Sequence, residues 1–164
     1  MRLLAIHCIY FLLFACNVDN NGNSSNDVAS SWEEAKLEYS QQNYKDSLIR
    51  LNNIINDYPD SDIVPECLYL IHEIYLNEFD NHYISIQYLE NIINSYPEDD
   101  FAKKALFTLA YIYNNHLESY TDAYNTYSQF IEKYPEDDLV DAAIYEIDNL
   151  SVHIKSIDDI LKEK

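Results

Sequence analysis

The sequence has 164 residues with one glycine and four prolines, and its formal net charge is −19. Because sheets and tight turns depend on glycine, this composition favours an all-helical fold. The acidic balance disfavours binding to nucleic-acid phosphates and to anionic lipid headgroups, and it favours encounter with basic partners.

The N-terminal segment is typical of an export signal. Arg2 precedes an apolar run over residues 3–15, which is shorter than the roughly 20 residues of a lasting membrane span. Leu13-Phe14-Ala15-Cys16 resembles a bacterial lipobox, in which the chain is cleaved before the cysteine and the cysteine is acylated. We therefore expect residues 1–15 to be a lipoprotein signal peptide and Cys16 to carry a lipid anchor. The alternative is an ordinary signal peptide followed by a coincidental cysteine.

The next segment, residues 16–30, is polar and contains the single glycine, Gly22. We expect it to be a flexible tether that leads to a helical repeat domain at residues 31–164. Loss of the signal and acylation of Cys16 would leave Cys67 as the remaining thiol, so no internal disulfide is expected. Cys67 lies in a helical apolar pattern, which favours a buried thiol over a reactive one.

Three similar segments, IINDYPDSD, NIINSYPEDD and FIEKYPEDD, recur along the chain. Their prolines are Pro59, Pro97 and Pro135, at an interval of 38 residues. Apolar residues before each proline have helical spacing, and so do those of residues 65–77 and 101–117. Each 38-residue unit is therefore predicted to be a pair of antiparallel helices joined by a short polar turn.

The tyrosine before each proline is predicted to end the second helix of its pair, because proline disfavours helical dihedrals in the preceding residue. The polar residues after each proline, such as Asp99 and Asp137, are expected to accept hydrogen bonds from the first N–H groups of the next helix. A calcium site is the alternative for these acids, but the loop glycine and alternating ligand spacing of such a site are missing.

Helix pairs of about this length resemble tetratricopeptide repeats (TPRs). The third copy carries the consensus most fully, with Leu106, Leu109, Ala110, Tyr113, Ala123, Tyr127 and Pro135. Where the consensus has a small residue, the chain has Ala35 and Ala110 but His72 in the second copy, which predicts looser packing there.

The resemblance implies an all-α, TPR-like α-solenoid of about three and a half antiparallel helix pairs. Residues 139–164 begin a fourth unit but contain no further tyrosine–proline corner, so they are expected to form a C-terminal capping helix. The alternative use of this helix is docking to a partner.

The lipobox, the tether and the tyrosine–proline corners together resemble the BamD (YfiO-like) family of outer-membrane lipoproteins. Members of that family face the periplasm and hold protein partners of a β-barrel insertion machine. The resemblance implies a lipid-anchored periplasmic scaffold in outer-membrane protein assembly. One alternative is a periplasmic TPR adaptor in envelope or division coordination, as in the CpoB family, which shares the corner sequences and generally lacks the lipobox. A ligand-binding lipoprotein is another.

The TPR consensus positions place a set of residues on the concave face of the array. They are Trp32, Lys36, Tyr69, Glu73, Phe107, Tyr111, Tyr145 and Asn149. An aromatic ladder there could hold a basic or aromatic-binding segment of an envelope assembly complex, since rigid rings give contact area at little entropic cost. The alternative is that these rings belong to the core.

The sequence contains no signature of catalysis. One glycine is too few for a phosphate-binding loop, and neither HExxH nor CxxC occurs. His82, His116 and His153 are predicted to be surface or packing residues. We expect a binding protein without enzyme activity, metal or cofactor.

Overall fold

The computed structural model describes residues 21–162, with side-chain surroundings described over 27–150 and at residue 153. In that part of the chain all regular structure is helical, which confirms the predicted all-α class. The α-helices are α1 (Asn21–Ser40), α2 (Tyr44–Asp57), α3 (Val64–Glu73), α4 (His82–Ser95), α5 (Asp100–Asn115), α6 (Tyr120–Lys133) and α7 (Val140–Lys162). A π-helical turn, Ile74–Glu78, continues α3.

The helices pack in chain order. Helix α1 packs on α2, α3 on α4 and α5 on α6, and α7 packs on α6 as the first half of a fourth pair. Because short turns join the helices of each pair, the two partners run antiparallel. Helix α3 also contacts α5, so the first helices of successive pairs lie side by side. This arrangement agrees with the predicted array of three and a half pairs.

The core repeats with the helix pairs. Leu51, Leu89 and Tyr127 occupy equivalent positions on α2, α4 and α6, and each is fully buried. Three consecutive clusters of buried residues run through the array, and each joins one pair to part of its neighbour. Burial of these repeated apolar faces is the main favourable term for folding of such an array.

The tyrosine–proline corners have the same geometry in all three copies. Helices α2, α4 and α6 end just before Tyr58, Tyr96 and Tyr134, whose φ values are −133°, −130° and −129°. Each tyrosine N–H still donates to the carbonyl oxygen four residues earlier, and each half-buried ring packs against the core. The predicted helix ends are confirmed.

The second residue after each proline caps the turn that follows. The Ser61 hydroxyl accepts from the N–H of Ile63 at 3.4 Å, and one carboxylate oxygen of Asp99 accepts from Phe101 at 2.8 Å. Asp137 accepts from the N–H of Leu139 at 3.0 Å. Of the three donors only Phe101 lies in a helix, because Ile63 and Leu139 belong to the turns just before α3 and α7. The predicted helix cap is therefore confirmed at Asp99, whereas Ser61 and Asp137 stabilise the preceding turns.

The turns inside the pairs use the left-handed region without glycine. Gln42, Asp80 and Glu118 are 38 residues apart and have φ values of 63°, 49° and 49°. A side chain with a Cβ costs about 1–2 kcal/mol in this region, so these turns are strained positions that the surrounding helices maintain.

The second helix pair is not loosely packed around His72, although the sequence predicted looser packing there. His72 is 1% exposed, and its Nδ1 atom lies 2.8 Å from the Ser85 hydroxyl. A hydrogen-bond contact with Ser85 thus satisfies the larger, polar side chain in the core.

Helix α1 begins ten residues before the predicted start of the repeat domain. It runs from Asn21, and Val28 is 7% exposed in the first core cluster together with Trp32. Because these two residues are one helical turn apart, they bury the same stripe of α1. The predicted signal peptide, Cys16 and the first residues of the predicted tether lie outside the described residues.

Cys67 is a buried free thiol, as expected. Burial, reinforced by the charge of Glu66, raises its pKa to about 12. The thiolate is therefore scarce at neutral pH, and Cys67 acts as a small core residue.

Candidate binding groove

An open groove of about 400 Å³ lies across α3 and is bounded by α1 and α5. It is lined by Trp32, Lys36, Tyr39, Glu66, Tyr69, Leu70, Glu73 and Phe101. The residues from α3 are spaced i, i+3, i+4 and i+7, which places them on one helical face. Four of the predicted concave residues, Trp32, Lys36, Tyr69 and Glu73, are thus brought together here.

The centre of the groove is a fixed aromatic ring. Tyr69 packs with its ring centroid 5.3 Å from that of Phe101 and 4.9 Å from that of His72. Its hydroxyl lies 3.1 Å from the Thr108 hydroxyl on α5. Contacts at both ends of the side chain restrict its rotamers, so Tyr69 is held in one orientation in the groove.

Each side wall of the groove combines an aromatic ring with a lysine. On α1, the Lys36 ammonium lies 5.2 Å from the centroid of the Trp32 ring and 2.6 Å from a carboxylate oxygen of Glu33. On α5, the Lys104 ammonium lies 4.5 Å from the centroid of the Phe101 ring. Cation–π contacts of this kind hold both lysines against the rings.

Glu73 places a half-buried carboxylate at the end of α3. Burial raises the pKa of its carboxyl, and the positive charge of Lys104 opposes that shift. In the described part of the chain, no side chain donates a hydrogen bond to Glu73 and no cation forms an ion pair with it. The carboxylate has therefore lost hydration without gaining a direct partner, which is costly for a charged group.

The remaining predicted concave residues do not reach this groove. Phe107 faces α6, where its ring centroid lies 5.4 Å from that of Tyr127 and 5.5 Å from that of Phe130. Tyr111 is 44% exposed and Tyr145 is 66% exposed, and Asn149 is also exposed. The predicted aromatic ladder therefore does not form one surface. Its first members line the groove, Phe107 packs in the core, and Tyr111, Tyr145 and Asn149 are exposed.

Sequence reasoning missed half of the groove. Tyr39, Glu66, Leu70 and Phe101 line it but were not among the predicted residues. The helical spacing of Glu66, Leu70 and Glu73 about Tyr69 was a usable signal, because residues three and four apart share a helical face. Phe101 could not be found in this way, since it belongs to the next helix pair.

Two histidines meet at neighbouring turns outside the groove. His82 Nε2 lies 2.9 Å from His116 Nδ1 and 3.4 Å from a carboxylate oxygen of Asp80. His153 stacks on Tyr120 with ring centroids 4.6 Å apart. These positions agree with the predicted surface and packing roles. Over the residues that the structure describes, no three His, Cys, Asp or Glu side chains form a group suited to a metal ion.

No helix in the described region is both long enough and apolar enough to cross a membrane.

The fold and the groove define a class of protein: an array of helix hairpins with an open groove lined by aromatic rings. Residues 104–137, which cover most of α5, all of α6 and the corner after it, match the tetratricopeptide repeat family model. The third helix pair is therefore a tetratricopeptide repeat, in the copy that the sequence singled out. Such repeats are typically non-catalytic scaffolds for protein–protein interaction. No curated protein matches the chain significantly.

Proposed function

We propose that the protein is a lipid-anchored scaffold of the bacterial cell envelope that holds protein partners in outer-membrane protein assembly, as members of the BamD family do. The observation that carries the proposal is the groove across α3, with its preorganised Tyr69 and its aromatic walls. The tetratricopeptide repeat at 104–137 supports a protein as the ligand.

The shape of the groove suits a segment of a protein chain. It is open along the first helices of successive pairs, which is the surface that repeat arrays use for binding. Trp32, Tyr69 and Phe101 offer large rigid rings, and aromatic residues of this kind dominate the energetics of protein interfaces. An extended or helical segment can lie along such a surface with its side chains between the rings.

The N-terminal sequence supports the membrane location. Leu13-Phe14-Ala15-Cys16 resembles a lipobox, and acylation of Cys16 with two or three chains would anchor the protein durably. A periplasmic orientation with an anchor in the outer membrane follows from the resemblance to the BamD family.

Site-specific photo-crosslinking in the native host tests this proposal. A photoreactive amino acid at Tyr69 should capture one or a few envelope assembly proteins when the full chain is expressed in cells. Tyr83 is the matched control, because it is a tyrosine on α4 that is 73% exposed and lies away from the groove. Equal capture at both positions, or capture of no assembly component at Tyr69, would reject the groove as the interface.

A further inference from the structure

Glu66 and Glu73 are the two charged groups of the groove that form no ion pair within the described residues, and Glu73 is the one whose charge acts on Tyr39 and Tyr69. Glu73 is half-buried beside Tyr39 and Tyr69. Burial is the main cause that raises the pKa of both tyrosine hydroxyls, and the negative charge of Glu73 raises them further. Glu66 adds a second carboxylate two helical turns earlier on the same face of α3. The lining of the groove therefore combines acidic oxygens with aromatic rings.

The lysine of the groove, Lys36, and the neighbouring Lys104 both contact other groups of the protein. Lys36 is paired with Glu33 and lies against Trp32, and Lys104 lies against Phe101. Lys104 is close enough to act on the Glu73 charge but does not form an ion pair with it. An additional cation can therefore reach Glu73 without displacing a bond that the protein already makes.

We propose that the groove receives an arginine or lysine side chain of the bound protein segment, with Glu73 as its counter-ion and the Trp32, Tyr69 and Phe101 rings as its walls. This inference rests on the proposed scaffold function and specifies the chemistry of the partner. A guanidinium suits the site best, because it is planar, stacks on aromatic faces and donates two parallel hydrogen bonds to a carboxylate. A metal ion suits it less, because the described residues offer no group of three ligands.

The charge of the whole protein favours the same partner. A net charge of −19 attracts basic segments and repels acidic ones before contact. Such steering acts on the association rate and weakens as salt is added, whereas a partly buried ion pair acts mainly on the dissociation rate. The two contributions can therefore be separated by kinetics at two salt concentrations.

A double-mutant cycle tests the proposal with the full chain in detergent. The probe is a fluorescent peptide of arginine, leucine and alanine, and its partner probe carries citrulline, the uncharged isostere, in place of arginine. We expect Glu73→Gln to lower the affinity for the arginine peptide about tenfold, which corresponds to the loss of one hydrogen bond to a charged group. Citrulline should weaken binding to the wild type by at least a similar factor. In Glu73→Gln it should cause a much smaller loss, because only the contact of the cation with the rings and its attraction to the net charge remain to be removed.

Matched variants guard against indirect effects. Glu90→Gln removes an exposed carboxylate on α4 and should leave the dissociation rate of the arginine peptide unchanged. Circular dichroism should show that Glu73→Gln and Glu90→Gln keep the helical content of the wild type. Equal binding of both peptides by the wild type, or equal affinity of wild type and Glu73→Gln, would overturn the cation site. The scaffold proposal would survive that result if photo-crosslinking at Tyr69 still captured a partner, and it would fail independently if crosslinking failed.

Discussion

The Nδ1 atom of His72 lies 2.8 Å from the Ser85 hydroxyl in the buried centre of the second helix pair, and neither residue is more than 1% exposed. In the first pair the equivalent serine, Ser47, donates to the carbonyl oxygen of Ala35 at 2.9 Å. The second pair therefore keeps a buried serine bond while replacing its partner with an imidazole. Burial lowers the pKa of His72 to about 4, so the ring is neutral at physiological pH.

The pH dependence of stability should report His72. Its pKa is about 4 in the folded state against about 6.5 in an unfolded chain, so the unfolded state binds the proton first as the pH falls. The contribution of the neutral His72 ring to the free energy of unfolding is therefore complete above pH 6.5. It is lost as the pH falls from 6.5 towards 4, and the total loss cannot exceed about 3 kcal/mol.

Urea denaturation of the wild type and of His72→Gln at a series of pH values measures this contribution. We expect the difference in unfolding free energy between the two proteins to shrink with acidification across that window. His116→Gln is the control, because His116 is exposed at a turn. A difference between wild type and His72→Gln that stays constant from pH 7 to pH 4 would contradict the assignment.

Glycine at the strained turns should stabilise the protein. Gln42 and Glu118 have positive φ values, where a residue with a Cβ costs about 1–2 kcal/mol and glycine does not. Because glycine also raises the entropy of the unfolded chain, we expect Gln42→Gly and Glu118→Gly each to gain only about 0.5–1 kcal/mol. Thermal denaturation should show higher melting temperatures for both. Gln41→Gly, one residue earlier and without a positive φ, should show no gain.

The cap at Asp99 should contribute measurable stability. Its carboxylate accepts from the N–H of Phe101 at the start of α5, and removal of such a cap costs about 1 kcal/mol. We expect Asp99→Ala to lower the unfolding free energy by about that amount. Glu98→Ala removes an exposed neighbouring acid and should stay within about 0.5 kcal/mol of wild type. Equal losses in the two variants would show that net charge, rather than the cap, is responsible.

Phe107 and Tyr145 should behave differently, although the sequence assigned both to one ladder. Phe107 packs on two rings of α6, so Phe107→Ala should destabilise the protein by about 2–4 kcal/mol. Tyr145 is 66% exposed, so Tyr145→Ala should change stability by less than about 0.5 kcal/mol. Urea denaturation of the two single variants makes the comparison. Similar losses would indicate that Tyr145 is buried by a contact that the structure does not contain.

The sequence predicted the corners well because their causes are local. Tyr96 ends α4 because Pro97 follows it, and Asp99 caps α5 because it lies two residues beyond that proline. The groove was harder to predict because it depends on how neighbouring pairs sit against each other. Phe107 follows Tyr69 by the 38-residue period, yet the residue of α5 that bonds to Tyr69 is Thr108. A period fixes equivalent positions, whereas tertiary packing decides which of them face one another.

The lipid anchor can be tested with the cysteines of the chain itself. Acylation at Cys16 would accompany processing of the signal, so in cells grown with an alkyne-bearing fatty acid the wild type should become labelled and should be found in the membrane fraction. Cys16→Ser should abolish both the label and the membrane location. Cys67→Ser is the matched control, because Cys67 is buried and its pKa of about 12 makes it a poor nucleophile, so this variant should remain labelled. An unlabelled, soluble wild type would remove the anchor from the proposed function and would favour a free periplasmic adaptor, whose groove would still bind its partner.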